Sequence, residues 1–176
     1  MGKRSTFARM KNDLYPTTDP RAIPPLLGHL PPAARYCEPC AGGGTLIGLL
    51  AAAGLECVMA WDIEPGAVAI WEGDARTIVA GNQLFDFYIT NPPWTRELLH
   101  AIILNLAAQR PTWLLFDADW MHTKQACSFL PLLRKVVSVG RLKWMPGTRH
   151  SGKDNCCWYL FDANGQGETI FIGRGQ

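Results

Sequence analysis

Strand-like and helix-like segments alternate along most of this chain, and this alternation restricts its fold more than any other feature of the sequence. Strands are predicted near residues 34–38, 56–62, 85–90 and 112–118, and helices near 45–53, 65–71, 95–108 and 123–135. Strands separated by helices predict an α/β fold with a mostly parallel sheet and helices on both faces. The segments 136–144, 156–162 and 168–172 follow one another as strands, which predicts an antiparallel C-terminal edge.

The length and composition of the chain are typical of one compact domain. With 176 residues and 48% hydrophobic side chains, the chain is long enough to bury one core and too short for two ordinary domains. We expect residues 1–19 to form an N-terminal arm and residues 20–176 to form a single domain. The elements after residue 94 are needed to complete the sheet, so no separate domain for recognising a target is expected.

The tetrapeptide Asn91-Pro92-Pro93-Trp94 directly follows the third predicted strand. The side-chain carbonyl of Asn91 and the backbone carbonyl of Pro92 are two neutral acceptors for the N–H bonds of one planar amino group. Such acceptors return electron density to a weakly nucleophilic nitrogen, and the Trp94 indole offers a surface on which a planar base can stack. The tetrapeptide, including Pro93, is therefore the predicted catalytic set. The alternative is a strand-ending turn with two prolines and a half-buried tryptophan.

A glycine run at positions 42–44 follows the first predicted strand, which ends in Glu38. Glycines let the backbone approach a ligand closely, and the N-terminus of the following helix favours a negatively charged group. The second predicted strand ends in Asp62, at the position where doubly wound folds hold ribose hydroxyls, although Asp62 could instead cap a helix. Ligands in such folds bind at the carboxyl ends of the strands, so Glu38, Asp62 and Asn91 are predicted to meet there.

Together these motifs resemble the class I S-adenosylmethionine-dependent amino-methyltransferases, and in particular the small phage and prophage DNA N6-adenine methyltransferases. The resemblance covers nearly the whole chain and implies a Rossmann-like class I methyltransferase fold with S-adenosylmethionine as cofactor. It implies that Thr17 and the glycine loop contact the methionine moiety, that Asp62 contacts the ribose, and that Asp74 contacts the adenine amino group. The implied cofactor site consists of Tyr15, Pro16, Thr17, Glu38, Pro39, Cys40, Ala41, Gly42, Gly44, Asp62, Ile63, Asp74 and Ala75.

The activity implied by the resemblance is methyl transfer to the exocyclic N6 of adenine in double- or single-stranded DNA. Because one loop and one arm hold few contacts to base edges, low sequence specificity is expected. N4 of cytosine, N6 of adenine in RNA and a protein glutamine amide stay open, since each presents a planar nitrogen. A non-catalytic nucleic-acid-binding scaffold is the alternative from a different class. The chain departs from many relatives at Thr18, where they have proline, and at Ala41, where they have phenylalanine.

Basic residues are concentrated between positions 134 and 153, where no acidic residue occurs. Basic side chains next to aromatic ones suit phosphate contacts and base stacking, although a solvated basic face is the alternative interpretation. The predicted nucleic-acid-binding residues are Arg141, Lys143, Trp144, Arg149, His150 and Lys153. The net charge of +2 does not by itself indicate a nucleic-acid partner.

The cysteines and the apolar runs bear on metal binding and location. Cys37 and Cys40 have CxxC spacing, but the other close pair, Cys156-Cys157, is adjacent and does not match the spacing of zinc ligands, so no metal is expected. No signal peptide is visible, and no apolar run reaches the roughly 18 residues of a membrane helix. With the resemblance, this predicts a protein without membrane association in the cytoplasm of a bacterial host, encoded by a phage or prophage.

Overall fold

The computed structural model describes residues 15–82, 84–144 and 152–175. The strands are β1 (Arg35–Glu38), β2 (Glu56–Asp62), β3 (Trp71–Glu72), β4 (Phe87–Thr90), β5 (Thr112–Asp117), β6 (Leu133–Gly140), β7 (Cys156–Phe161) and β8 (Ile170–Ile172). The α-helices are α1 (Pro24–Leu27), α2 (Thr45–Ala52) and α3 (Arg96–Ala107). Short 3-10 helices cover Pro20–Ala22, Ala118–His122, Lys124–Ser128 and Leu130–Leu132.

The described strands form one sheet in the order β3-β2-β1-β4-β5-β7-β6-β8. Neighbouring strands from β3 to β5 are parallel, and β7 alone runs antiparallel to both of its neighbours, β5 and β6. Beyond it, β6 and β8 pair in parallel. The predicted α/β fold, with a mostly parallel sheet and antiparallel pairing in its C-terminal part, is confirmed.

The sheet is covered on both faces because successive side chains of a strand point to opposite sides. Trp113 and Leu115 of β5 pack in one hydrophobic cluster with apolar side chains of α1 and α2. Leu114 and Phe116, the alternate residues of the same strand, pack in another cluster with apolar side chains of α3. The predicted helices on both faces, and in particular those near 45–53 and 95–108, are therefore confirmed.

The predicted helix at 65–71 is wrong. This segment consists of bends and turns that lead into the two-residue strand β3. The backbone N–H of Gly66 donates to the carbonyl of Gly42 at 2.9 Å, and a Cβ atom on Gly66 would lie 3.0 Å from that oxygen. Val68 is fully exposed, so the segment offers no continuous apolar face to bury. Contact with the glycine loop therefore replaces the helical hydrogen bonds.

The predicted helix at 123–135 is also wrong. Two 3-10 helices occupy 124–132, and β6 already begins at Leu133, which lies opposite Phe161 of β7. Pro131 has no N–H to continue a helical hydrogen-bond ladder, and the β-branched pair Val136 and Val137 favours a strand. The strand predicted at 136–144 consequently starts and ends earlier than expected.

Candidate active site

A cavity of about 350 Å³ lies at the carboxyl ends of β1, β2 and β4. Its volume falls within the range of small-molecule sites in proteins. The predicted residues that line it are Tyr15, Pro16, Thr17, Glu38, Pro39, Cys40, Ala41, Gly42, Asp62, Ile63, Asp74, Ala75, Asn91 and Pro93. Three other predicted residues, Gly44, Pro92 and Trp94, lie outside this lining. The fold thus brings most of the predicted cofactor site and two residues of the catalytic set, Asn91 and Pro93, into one cavity.

Gly43, a member of the predicted glycine loop, also lines the cavity. The sequence analysis missed several other lining residues, namely Thr45, Leu46, Glu64, Gly73, Arg76, Leu98 and Ile102. Leu98 and Ile102 are four positions apart on α3 and therefore share one face of the helix. This spacing was visible in the sequence, but nothing local indicated that the face would meet a cavity. Arg76 likewise lies two positions after the predicted Asp74, without a motif that marks it.

The glycine loop turns sharply between β1 and α2. Gly42 and Gly44 have φ angles of +52° and +81°, in the left-handed region where residues with a Cβ atom are strained. The N–H of Ala41 donates to the carbonyl of Trp61 at 2.8 Å, which ties the loop to β2. Gly44 is the N-terminal cap of α2, so the loop leads directly into the start of that helix.

Asp62 holds the loop in place from the end of β2. Its Oδ2 accepts the N–H of Gly42 at 2.6 Å, and its Oδ1 accepts the N–H of Glu64 at 2.9 Å. Asp62 is 9% exposed, and each carboxylate oxygen keeps a second lone pair for another donor. The alternative interpretation of Asp62 as a helix cap is wrong, because no helix follows it.

Glu38 and Thr17 each place a buried polar atom on the cavity wall, and neither atom has a hydrogen-bond partner among the described residues. Glu38 is 1% exposed and Thr17 is 2% exposed, yet Glu38 Oε2 and the Thr17 hydroxyl have no hydrogen-bond partner among the described residues. Burial, and then the nearby charge of Asp62, raise the pKa of Glu38 well above its ordinary value. Buried polar groups in native proteins are nearly always paired, so both groups are candidates for ligand contacts.

Asp74 and Arg76 form an ion pair at the rim of the cavity. The Nε of Arg76 donates to Oδ1 of Asp74 at 2.9 Å, and the backbone N–H of Arg76 donates to the same oxygen at 2.9 Å. The side-chain hydrogen bond from Arg76 lowers the pKa of Asp74. Asn105 of α3 donates to the carbonyls of Ala75 and Ile78, each at 3.0 Å, and so anchors this segment to the helix.

The side chain of Asn91 is held in one orientation. Its Nδ2 donates to the carbonyl of Tyr15 at 2.9 Å, and its Oδ1 accepts the indole N–H of Trp94 at 3.2 Å. A backbone carbonyl only accepts and an indole N–H only donates, so these two partners distinguish the oxygen from the nitrogen of the amide. Through Tyr15, the N-terminal arm thus contacts Asn91 of the catalytic set. Pro92, the next residue of that set, is buried.

Trp94 packs edge to face against Trp144, with ring centroids 5.4 Å apart and an interplanar angle of 90°. The backbone N–H of Lys143 donates to Oδ2 of Asp19 at 2.9 Å, which fixes the start of the predicted nucleic-acid-binding segment. Arg141, Lys143 and Lys153 are exposed. Arg149 and His150 lie outside the described residues.

Two further properties concern metals and membranes. Among the described residues, no group of three or more His, Cys, Asp or Glu side chains is arranged to hold a metal ion. No helix in the described part of the chain combines the length and apolar character that a membrane span requires.

No protein-family model and no curated protein sequence matches the chain. Solved structures do match its fold. A Listeria monocytogenes protein assigned to the class I S-adenosylmethionine-dependent methyltransferases has a TM-score of 0.58 at 10% identity, over 96% of this chain and 68% of its own. A Pyrococcus horikoshii protein described as an RNA methyltransferase has a TM-score of 0.55 at 15% identity, over 81% and 80%. Precorrin-6y C5,15-methyltransferase from Geobacter metallireducens has a TM-score of 0.51 at 13% identity, over 81% and 87%.

The fold is therefore the Rossmann-like fold of the class I S-adenosylmethionine-dependent methyltransferases. At these identities the likeness defines the fold alone, and the names of the three neighbours already cover unrelated substrates, RNA and a precorrin. A fold of this kind supports many activities, so the function of this chain has to be argued from its own site residues.

Proposed function

We propose that this protein is an S-adenosylmethionine-dependent methyltransferase that modifies N6 of adenine in DNA with little sequence specificity. The observation that carries the proposal is the meeting of the oriented Asn91 carboxamide with a cavity whose charged lining is mostly acidic. The Asn91 carboxamide suits a planar amino group. The mostly acidic cavity suits a positively charged nucleoside cofactor, and Asn91 lies in its lining.

The charge of the cavity supports the choice of cofactor. Four carboxylate residues line it, Glu38, Asp62, Glu64 and Asp74, and its one lysine or arginine among the described residues is Arg76. Arg76 is paired with Asp74, so it is not free to bind a phosphate group. Nucleotide cofactors that carry phosphates are disfavoured by such a lining, whereas an ammonium and a sulfonium group are favoured.

The residues present fit S-adenosylmethionine from end to end. The unpartnered Glu38 carboxyl and Thr17 hydroxyl are suited to its amino-acid end, and the free lone pairs of Asp62 to the ribose hydroxyls. Asp74 retains acceptor capacity for the adenine amino group, and Ile63 offers an exposed apolar surface for the adenine ring. When bound, this cofactor supplies a methyl group on a positively charged sulfur.

Asn91 and Pro92 are the residues that prepare the substrate nitrogen. The second lone pair of Asn91 Oδ1 and the backbone carbonyl of Pro92 accept the two N–H bonds of the amino group. These contacts favour the positive charge that develops on the nitrogen and fix its direction of approach. Because Tyr15 already orients the amide, little reorganisation is needed when the substrate arrives.

A nucleic-acid base is the favoured substrate because aromatic and basic side chains lie beside Asn91. Trp94 and Trp144 pack together next to the amide, and the exposed Lys143 adjoins Trp144. An adenine that leaves the helix, or arrives single-stranded, can stack on this aromatic pair while basic side chains meet the phosphates. Few side chains are available to contact base edges, which supports low sequence specificity and steep salt dependence.

The decisive experiment identifies the modified nucleoside. The purified protein is incubated with labelled S-adenosylmethionine and, separately, with duplex DNA, single-stranded DNA and RNA. N6-methyladenine in DNA is the expected product, and Asn91→Ala, whose rate should be lower by roughly a hundredfold or more, is the control variant. Label found only in RNA adenine selects the second candidate, which the description of the Pyrococcus horikoshii neighbour also suggests. N4-methylcytosine as the product would identify cytosine as the substrate base. A complete lack of cofactor binding would favour the non-catalytic nucleic-acid-binding scaffold.

Specificity is tested on a long random-sequence duplex and its separated strands. Adenines modified in a context of one or two bases support the proposal, whereas methylation confined to a motif of about four or more base pairs contradicts low specificity. Trp94→Ala should weaken DNA engagement by about 1–3 kcal/mol because base stacking is lost. An enzyme with this substrate would work in the cytoplasm of a bacterium, and a phage or prophage origin remains part of the same proposal.

A further inference from the structure

The described part of the N-terminal arm joins the predicted catalytic set to the predicted nucleic-acid-binding segment. At one end, the carbonyl of Tyr15 accepts a hydrogen bond from Nδ2 of Asn91 at 2.9 Å. At the other end, Oδ2 of Asp19 accepts the backbone N–H of Lys143 at 2.9 Å, and the Thr18 hydroxyl donates to the carbonyl of Lys143 at 3.4 Å. Both backbone groups of Lys143 are therefore bound by the arm, although Asp19 and Lys143 are 124 positions apart.

Asp19 is buried and ionised, which strengthens its bond to Lys143. The residue is 6% exposed, and its two carboxylate oxygens accept different backbone donors. Oδ1 accepts the backbone N–H of Arg21 at 3.1 Å and caps the 3-10 helix Pro20–Ala22, while Oδ2 accepts the N–H of Lys143. The side-chain hydrogen bond from Arg21 lowers the pKa of Asp19 to about 2, so the bond to Lys143 is charge-assisted at neutral pH.

The backbone of Lys143 determines where the proposed nucleic-acid surface meets the active site. The Lys143 side chain is exposed, and the indole of the next residue, Trp144, packs on Trp94 with ring centroids 5.4 Å apart. Trp94 also donates its indole N–H to Oδ1 of Asn91 at 3.2 Å. A fixed backbone at Lys143 therefore places a basic side chain and an aromatic pair beside the proposed reacting centre.

We propose that Asp19 is a positioning residue for nucleic acid, because it fixes the backbone of Lys143 and thereby keeps the Lys143 side chain and the Trp144 indole beside the active site. The inference rests on the proposed function, since it requires a nucleic-acid substrate. It gives a role in substrate binding to a residue that lies outside the cavity lining and acts only through Lys143.

The sign of the effect in Asp19→Asn distinguishes positioning from simple electrostatics. A carboxylate near phosphate groups repels them, so removal of its charge would by itself tighten nucleic-acid binding. Loss of a positioning contact has the opposite effect. Asparagine has the same size and caps a helix as well as aspartate does. Its amide has one oxygen, however, so it cannot accept the N–H of Arg21 and that of Lys143 at the two positions that the carboxylate oxygens occupy.

The test measures binding of a fluorescent DNA duplex by anisotropy at several salt concentrations. Asp19→Asn should weaken binding at least about threefold and reduce the slope of log affinity against log salt concentration by about 0.9, the value of one lost phosphate contact. The loss should appear in KM, with kcat changed by less than about twofold. Asp86→Asn is the matched control, because the exposed Asp86 likewise accepts a distant backbone N–H, that of Arg35 at 2.9 Å, and lies outside the cavity lining. This control should keep the wild-type affinity and slope.

A double-mutant cycle shows whether Asp19 acts through Lys143. Lys143→Ala should weaken duplex binding about fivefold in the wild-type background, because a phosphate contact is lost. In the Asp19→Asn background the same substitution should weaken binding by less than about twofold, because the side chain is no longer held in position. Additive losses overturn the positioning role, as does unchanged or tighter binding in a folded Asp19→Asn variant.

Failure of this inference is distinguishable from failure of the proposed function. If the wild-type protein binds and methylates DNA but Asp19→Asn does so equally well, only the role of Asp19 is wrong. If the wild-type protein binds neither DNA nor RNA, the proposed substrate is wrong and the inference falls with it. Should Asp19→Asn fail to fold, Thr18→Val decides the question, because it removes only the hydroxyl that donates to the carbonyl of Lys143. Binding weakened at least about twofold supports the proposal, and unchanged binding contradicts it.

Discussion

The two halves of the sheet bury very different side chains. At the cavity end, around β1 and β2, the buried residues include Glu38, Asp62 and Thr17. Around β5 and β7 the largest buried side chains are aromatic, among them Trp113, Phe116 and Tyr159. There Phe116 stacks on Tyr159 with ring centroids 4.2 Å apart, and Trp120 packs edge to face on both.

This contrast separates stability from function within one small domain. The aromatic cluster removes a large apolar area from water, which is the dominant favourable contribution to folding. Buried polar groups without partners cost free energy, and proteins retain such costs mainly where a ligand or a reaction needs them. Substitutions in the aromatic half should therefore lower stability, and those in the cavity half should change affinity or turnover in a protein that still folds.

The largest effect is expected from Trp120→Ala in the aromatic half. Trp120 is fully buried and donates its indole N–H to Nε2 of His100 at 3.1 Å. Its truncation should lower the free energy of unfolding by about 3–5 kcal/mol, measured by denaturant titration. Trp71→Ala is the control, because Trp71 is 67% exposed and its loss should change stability by about 0.5 kcal/mol or less. Similar losses in the free energy of unfolding for the two variants would contradict the proposed role of the aromatic half in stability.

The second effect is on turnover. Asn91→Ala should lower the single-turnover rate by roughly a hundredfold or more, the loss expected for one oriented polar group at a reacting centre, while cofactor affinity stays nearly unchanged. Asn105→Ala offers a matched amide truncation, because Asn105 anchors the segment that carries Asp74. This control should weaken cofactor binding more than it slows the chemical step. A wild-type rate in Asn91→Ala would contradict the proposed activation of the substrate nitrogen.

The third effect is on cofactor affinity. Asp62→Ala should weaken binding of S-adenosylmethionine at least about tenfold, because it removes charge-assisted hydrogen bonds to the ribose and releases the N–H of Gly42. Asp162→Ala is the control, since Asp162 makes a similar local bond to the N–H of Asn164 outside the cavity lining. Calorimetry on both folded variants measures the difference. Unchanged affinity in Asp62→Ala would contradict the proposal that Asp62 binds the ribose of the cofactor.

The smallest effect is a pH dependence of stability at Glu38. Because the folded protein raises the pKa of this carboxyl, it holds a proton that the unfolded chain has already lost near neutral pH. Wild-type stability therefore falls as the pH rises above the ordinary carboxyl range. Without cofactor, Glu38→Gln should be more stable than the wild-type protein near neutral pH, and the difference should disappear below about pH 4. A difference that does not vary with pH would contradict the burial of an unpaired carboxyl.

Much of the candidate site was predictable because its residues occur at strand ends. Glu38, Asp62 and Asn91 each terminate or follow a strand whose apolar pattern is visible in the sequence, and parallel strands bring such ends together. The acidic lining was only partly predictable. Glu64 and Arg76 carry no motif, and their place in the cavity depends on how the chain leaves β2 and β3.

The sequence by itself determined the alternation of strands and helices, the order of the motifs and the edge of the sheet at which they meet, because these follow from local periodicity. The tertiary structure decided what local periodicity cannot express. Contact between Gly66 and the glycine loop removed a predicted helix, and the orientation of the Asn91 amide depends on Tyr15 and Trp94. Such contacts form only when distant segments pack together, so no window of the sequence contains the information that specifies them.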